Sequence, residues 1–193
     1  INALESQNVE VKAATINNDR GLHIVKSMWS YLTHGKKPAQ TSPDQSQAHQ
    51  DWQAQITAWQ QQPSAWVQPQ DMTDKRLHKA DHFVGFWYVL ADTFVEDEAV
   101  LKAWQEMLIS WEQKDHPQHQ QTRALWKQLN AWFYQGYAET QKVLKFHFDA
   151  DQISYESDIY EAGRQIIIEA ANKGIFERLP DGAIKADLSA FDL

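Results

Sequence analysis

Two short clusters hold the side chains best suited to chemistry. The first is Tyr155-Glu156-Ser157-Asp158, where a β-rich stretch, Ile153-Ser154-Tyr155-Glu156, gives way to a helical pattern. Ser157 or Asp158 can cap that helix, and Glu161 stands three residues after Asp158, as a capping box requires. Glu156 has no such structural use. A carboxylate at a strand end can hold a cationic group, best a guanidinium, whose planar fork matches two carboxylate oxygens. The competing role is an ordinary exposed glutamate, and the residues alone leave both open. The second cluster is Asn18-Asp19-Arg20-Gly21-Leu22-His23, at a strand-to-helix turn. Open α/β sheets bind ligands at such turns. The alternative is a capped turn in which Asp19 bonds backbone amides.

Other candidates fall away on spacing. His78 and His82, with Asp81 beside them, could share a helix face as zinc ligands do, but Lys79 stands where a zinc protease carries Glu. A plain polar segment is the expectation there. His116 and His119 flank Pro117 in a polar loop and read as solvated. No spacing marks a nucleophile elbow, and the seven scattered glycines form neither GxGxxG nor GxxxxGK[ST]. The absence of cysteine excludes disulfides and thiolate metal sites. No catalytic residue and no metal ligand is therefore assigned.

The elements that must position these clusters follow from apolar spacing. Val9 to Ile16 reads as a strand ending in the turn Asn17-Asn18-Asp19-Arg20-Gly21. Ile24, Val25, Met28, Trp29 and Leu32 then mark one helix face, stopping at Gly35. From Pro38 to about Gln70 the chain is rich in Gln, Pro, Ser and Asp, and reads as a loose insertion with one short helix around Trp52, Ile56 and Trp59. The apolar run from Asp81 to Leu90 fits a buried strand or a buried helix. Two long helices follow, broken at Lys114-Asp115-His116-Pro117. Val100, Leu101, Trp104, Met107, Leu108 and Trp111 stripe the first; Leu125, Leu129, Trp132, Phe133, Tyr137 and Leu144 stripe the second. These Trp rows read as core packing between paired helices. After Asp158, Ile159, Ala162, Ile166 and Ala170 predict a buried helix face, and Gly174 a stop. A β-hairpin is expected from Ile175 to Leu188 around Pro180-Asp181-Gly182.

Composition narrows the class. Of 193 residues, 42% are hydrophobic and nine are Trp, which excludes a disordered chain. The net charge of −8 argues against a surface that grips nucleic acid along its whole length. No apolar run approaches the ~20 residues of a membrane span, and no basic, apolar signal opens the chain. Ile1 in place of Met leads us to expect a piece of something longer.

Together the motifs bear a family likeness. Asn18-Asp19-Arg20-Gly21-Leu22-His23-Ile24-Val25-Lys26-Ser27-Met28 resembles the segment after the second strand of the catalytic domain in arginyl-tRNA synthetases. Lys79-Ala80-Asp81-His82-Phe83-Val84-Gly85 resembles a segment of one bacterial branch. Trp111-Glu112, Leu125-Trp126-Lys127, Trp132 and Gly136 fit the helices that come next. Phe148-Asp149 with Tyr155-Glu156-Ser157-Asp158-Ile159-Tyr160-Glu161-Ala162-Gly163 is similar to the arginine-pocket segment, and Asp181-Gly182-Ala183 through Asp187-Leu188 to the hairpin after it. The five motifs run in family order over nearly the whole chain.

The resemblance implies an α/β fold: an internal segment of a Rossmann-like class I synthetase catalytic domain with a mainly helical insertion. It divides the chain into a strand-turn-helix (1–37), a Gln-rich insertion (38–80), an apolar segment with paired helices (81–145) and an arginine-pocket segment with a hairpin (146–193). It implies a cytoplasmic parent that activates L-arginine with ATP and Mg2+ and charges tRNA(Arg), with no membrane partner. Glu156 would then contact the guanidinium, with Asp19 and His23 near the substrate cleft. Two departures stand out: Thr15 replaces a usual Asn, and the stretch from Pro38 to Gln70 is longer than the branch pattern. The motifs HIGH and KMSKS, which stabilise phosphate charge in this class, are absent and are expected before residue 1 and beyond residue 193. The segment alone is expected to be inactive. The rival reading is a non-catalytic synthetase-derived module that docks through its Trp-rich helices.

Overall fold

The computed structural model describes residues 14–146, 148, 150–180 and 182–187. Val9 to Ala13 of the expected first strand, and also His147, Asp149, Asp181 and Leu188, lie outside them. The described residues fall into two units: those from Arg20 to 146, and those up to Asp19 with those from Phe148 onward.

The larger unit is helical. Gly21 enters helix α1 (Leu22–His34) at φ 107° and ψ −179°, a backbone that only glycine adopts without strain. Val25, Met28, Trp29 and Leu32 are buried on the expected face, and Gly35 ends the helix with its N–H on the Tyr31 carbonyl. The Gln-rich stretch carries more structure than its composition suggests. It holds α2 (Gln45–Ala48) and α3 (Trp52–Gln61), capped by Asp44 and Asp51, and single 3-10 turns at Pro63–Ala65, Pro69–Asp71 and Lys75–His78. Its apolar residues, Trp52, Ile56, Trp59, Trp66, Val67 and Met72, join the core. Trp66 Nε1 donates to the Leu32 carbonyl at 2.9 Å, and the Tyr31 hydroxyl donates to the Val67 carbonyl at 3.1 Å.

The apolar run after Asp81 is helix α4 (Ala80–Ala91), burying Ala80, Phe83, Trp87, Leu90 and Ala91 at three- and four-residue spacing. Helices α5 (Glu98–Glu112) and α6 (His119–Leu144) follow, with Pro117 in the gap between them. Lys79 ties α4 to α6: its ammonium pairs with Asp81 and donates to the Gly136 carbonyl at 2.8 Å and to Thr140 Oγ1 at 2.9 Å. Gly136 permits this approach, since a Cβ there would lie 2.4 Å from the Asp81 nitrogen.

All nine Trp are buried in this unit, so the Trp rows pack the core rather than form a docking surface. Trp29, Trp87, Trp104, Trp111, Trp126 and Trp132 meet aromatic neighbours edge to face, the preferred geometry for ring quadrupoles. Trp29 lies 5.4 Å from Phe94 and 5.8 Å from Trp104; Tyr31 lies 5.7 Å from Trp87 and 5.8 Å from Trp132. The α6 stripe, however, is split. Leu125, Leu129 and Trp132 are buried, whereas Phe133, Tyr137 and Leu144 are exposed. Gly136 is the last buried residue of α6, and beyond it the helix runs past the core.

The smaller unit pairs β1 (Thr15–Asn17) in parallel with β2 (Ile153–Tyr155), Thr15 opposite Ile153 and Asn17 opposite Tyr155. Helix α7 (Glu156–Asn172) follows β2 directly, so it begins before the expected capping residues. Gly174, at φ 71°, terminates it as expected, with the Ile175 N–H on the Ala170 carbonyl at 2.9 Å. The expected hairpin is present but short: β3 (Glu177–Arg178) pairs antiparallel with β4 (Ile184–Lys185), and Gly182 sits in the turn at φ 88°.

Two expectations change here. No residue of α7 is buried, and Ile159 and Ile166 of its predicted inner face are exposed, because a two-stranded sheet is too small to cover a helix of this length. The described residues are also mostly helical, with strands confined to one parallel pair and one hairpin. That is less β structure than the α/β expectation called for.

Candidate functional site

The site builds from the level ends of β1 and β2. Because the register sets Asn17 opposite Tyr155, the chain leaves both strands side by side, through Asn18-Asp19 and Glu156-Ser157. The first N–H groups of a helix have no partner within it. Tyr155, the residue before α7, supplies no side-chain cap. Asp19 does so from 138 residues away: Oδ1 accepts the Ser157 N–H at 2.9 Å, and Oδ2 accepts the Ser157 hydroxyl at 2.6 Å. Asp19 is only 3% exposed. A carboxylate there also complements the positive end of the helix dipole.

Glu156 is the first residue of α7 and is half-buried; Asp158, in the same turn, is exposed. Glu156 and Asp158 thus share the helix turn that Asp19 caps. His23, the third residue singled out in the sequence, is half-buried in the first turn of α1, in the other unit. The sequence pattern marks Ser157 only as a cap; its bonding to Asp19 joins two clusters that no local pattern connects.

In the larger unit other polar residues singled out in the sequence have structural partners. Arg20 pairs with Glu112, and its guanidinium lies 5.5 Å from the Trp111 ring centroid. Arg123 stacks 4.2 Å from Trp111 and 4.5 Å from Trp126. His78 and His82 fall on different elements, the 3-10 turn and α4, and a His78 ring nitrogen lies 2.9 Å from the Met72 carbonyl. His116 Nδ1 accepts the Gln118 N–H, and His119 Nδ1 lies 3.0 Å from the Ser110 carbonyl. Among the described residues no three His, Asp or Glu converge as a metal site requires. A cavity of about 740 Å³ is lined by Met72, Leu77 and Phe86 with Thr73, Asp74 and Arg76. The Arg76 guanidinium is bound to Asp74, which holds the Asp74 carboxyl down at about 2. Among the described residues no helix is long and apolar enough to cross a membrane.

Comparison with known proteins agrees with the resemblance read from the sequence. The chain is 31% identical over 186 residues to an arginine–tRNA ligase of Borreliella afzelii, covering 96% of this chain and 25% of that protein. It is 31% identical to the ligase of Borrelia garinii subsp. bavariensis, with the same coverage. It is 29% identical to that of Phocaeicola vulgatus over 98% of this chain and 29% of the relative. No family model matches, and no solved structure matches. The chain is therefore related to a segment of these proteins and spans about a quarter of the length of the curated relatives it matches.

Proposed function

We propose that this chain, a relative of part of the arginine–tRNA ligases, belongs to a full-length enzyme that activates L-arginine with ATP and attaches it to tRNA(Arg) in the cytoplasm. The observation that carries the reading is the match along 96% of the chain to proteins of that name. The segment's share of the work is arginine recognition. Glu156, half-buried at the start of α7, is the carboxylate we assign to the guanidinium, whose planar fork matches a carboxylate's two oxygens. Lysine would present a point charge that cannot fill both, so the pairing favours arginine. Magnesium accompanies ATP in the full-length enzyme.

The exposed residues of the smaller unit support the Rossmann-like catalytic domain as its setting. Ile16 is 68% exposed, Ile166 67% and Ile175 68%. Parallel sheets occur with helices over both faces, so a parallel pair with Ile16 bare, beside a helix with Ile166 bare, reads as part of a larger sheet. The remainder of the full-length protein would supply its other strands and the ATP-handling motifs.

The test is Glu156→Gln in the full-length enzyme, assayed by arginine-dependent ATP–pyrophosphate exchange. The arginine KM should rise by about thirtyfold or more, since truncating one partner of a buried charged pair costs on the order of 2–5 kcal/mol. An unchanged arginine KM would remove Glu156 from the pocket.

A further inference from the structure

We propose that Asp19 is a positioning residue for arginine recognition, acting through Ser157 rather than by touching the substrate. The proposal rests on the reading of Glu156 given above. Its own basis is the pair of hydrogen bonds across the ends of the parallel strands. Both Asp19 oxygens are engaged by Ser157, one by the backbone N–H and one by the hydroxyl. A charged acceptor makes such bonds short and strong. They pin the second residue of α7, and the residue immediately before it is Glu156.

The geometry accounts for an unusual arrangement. Most helices take their cap from the residue just before them. Here that residue is Tyr155, which pairs in the sheet opposite Asn17 and provides no side-chain cap. The cap comes instead from the turn after the neighbouring strand. The first turn of α7 is therefore registered to the end of β1 as well as to β2. A carboxylate that must meet a planar cation in two-point fashion gains from such a fixed base, because a shift of about 1 Å can cost on the order of a hundredfold. The same bonds keep Asp19 buried at 3% exposure and give its charge an occupation other than the ligand.

The roles separate in the full-length enzyme. Asp19→Ala, which breaks both bonds, should raise the arginine KM about tenfold, equivalent to roughly 1.4 kcal/mol; Ser157→Ala, which keeps the backbone N–H bond to Asp19, should raise it less, about threefold. The ATP KM and kcat should stay close to those of the parent. The double variant should be no worse than the worse single one, since both changes break one linkage. Asp19→Asn keeps an acceptor for the Ser157 N–H, and Asn caps helices as well as Asp does, so it should recover most of the loss. Three results overturn the proposal: Asp19→Asn as damaging as Asp19→Ala while Ser157→Ala is silent, additive effects in the double variant, or an unmoved arginine KM in both single variants. The first would make Asp19 a direct ligand of the cation. Should Asp19→Ala not fold, Ser157→Ala and Asp19→Asn decide between the same outcomes. Failure of the underlying reading looks different, because Glu156→Gln itself would then leave the arginine KM unchanged.

Discussion

The helical unit and the smaller unit solve the problem of burial in opposite ways. From Arg20 to 146 the chain closes a core around nine buried Trp. In the other unit a seventeen-residue helix buries none of its residues. The first arrangement draws its stability from within, through large rings that each remove much apolar surface from water. The second is held by two short strand pairings, the Asp19–Ser157 linkage and the turns that close α7 and the hairpin. The residues proposed to read arginine sit on the part with the less complete core. Their precision therefore depends on hydrogen bonds, and on whatever the longer protein packs around them.

The largest expected effect tests the closed core. Trp29 is fully buried between Phe94 and Trp104. Trp29→Ala should destabilise the helical unit by about 3–5 kcal/mol, the usual cost of removing so large a ring. Urea unfolding followed by tryptophan fluorescence would measure it. A loss below about 1 kcal/mol would mean that the core is not organised around this ring.

How much of this was legible in the sequence follows the same division. In the helical unit, three- and four-residue spacing placed the buried faces of α1 and α5 and the first half of α6, because the partners that bury them lie in the same unit. The spacing misled where no partner is present. Ile159 and Ile166 carry a sound helical pattern, yet they are exposed beside a two-stranded sheet. Phe133, Tyr137 and Leu144 failed for a related reason, since α6 outruns its core after Gly136. At the site, residue types drew attention to Asp19, Glu156 and Ser157. Their joining could not be read, because the two halves are 138 residues apart and only the parallel register brings them level. Asp19 does bond a backbone amide, as the capped-turn alternative had it, but the amide belongs to the far strand-to-helix junction.

A smaller effect, again in the helical unit, comes from His34. It is 1% exposed, lies 5.5 Å from the Phe94 ring and 5.9 Å from the Trp29 ring, and its Nδ1 is 2.7 Å from Thr33 Oγ1. Burial lowers its pKa from the ordinary 6.5, against the raising influence of backbone bonds to Ser30 and Asp44 and of the Asp44 charge. The folded state thus binds this proton less readily than the unfolded chain. Stability should be full above pH 6.5 and fall as the pH drops below it, by at most about 1.4 kcal/mol per pH unit for one proton. The carboxylates of Asp44, Asp71 and Asp74, lowered by their own partners, act in a separate window at more acid pH. His34→Gln should flatten the dependence between pH 6.5 and 5 while leaving the more acidic limb. Thermal melts across that range would show it, and an unchanged slope would mean that His34 already meets water.

The smallest effect in the segment is also the sharpest comparison between the units. Ile166 is 67% exposed on α7. In the 193-residue chain, Ile166→Ser removes little buried surface, so its cost should stay under about 0.5 kcal/mol. If the full-length protein extends the β1–β2 sheet and covers α7, the same change there removes a buried aliphatic side chain, and the cost should rise to about 1.5–3 kcal/mol. Matched urea titrations of the two lengths give the difference directly. A large effect in the short chain would show that α7 already has a partner. Equal, small effects in both would mean that the helix stays bare in the complete protein. The arginine pocket would then rest on the Asp19–Ser157 linkage without a surrounding core, and the effects expected of those two residues should grow accordingly.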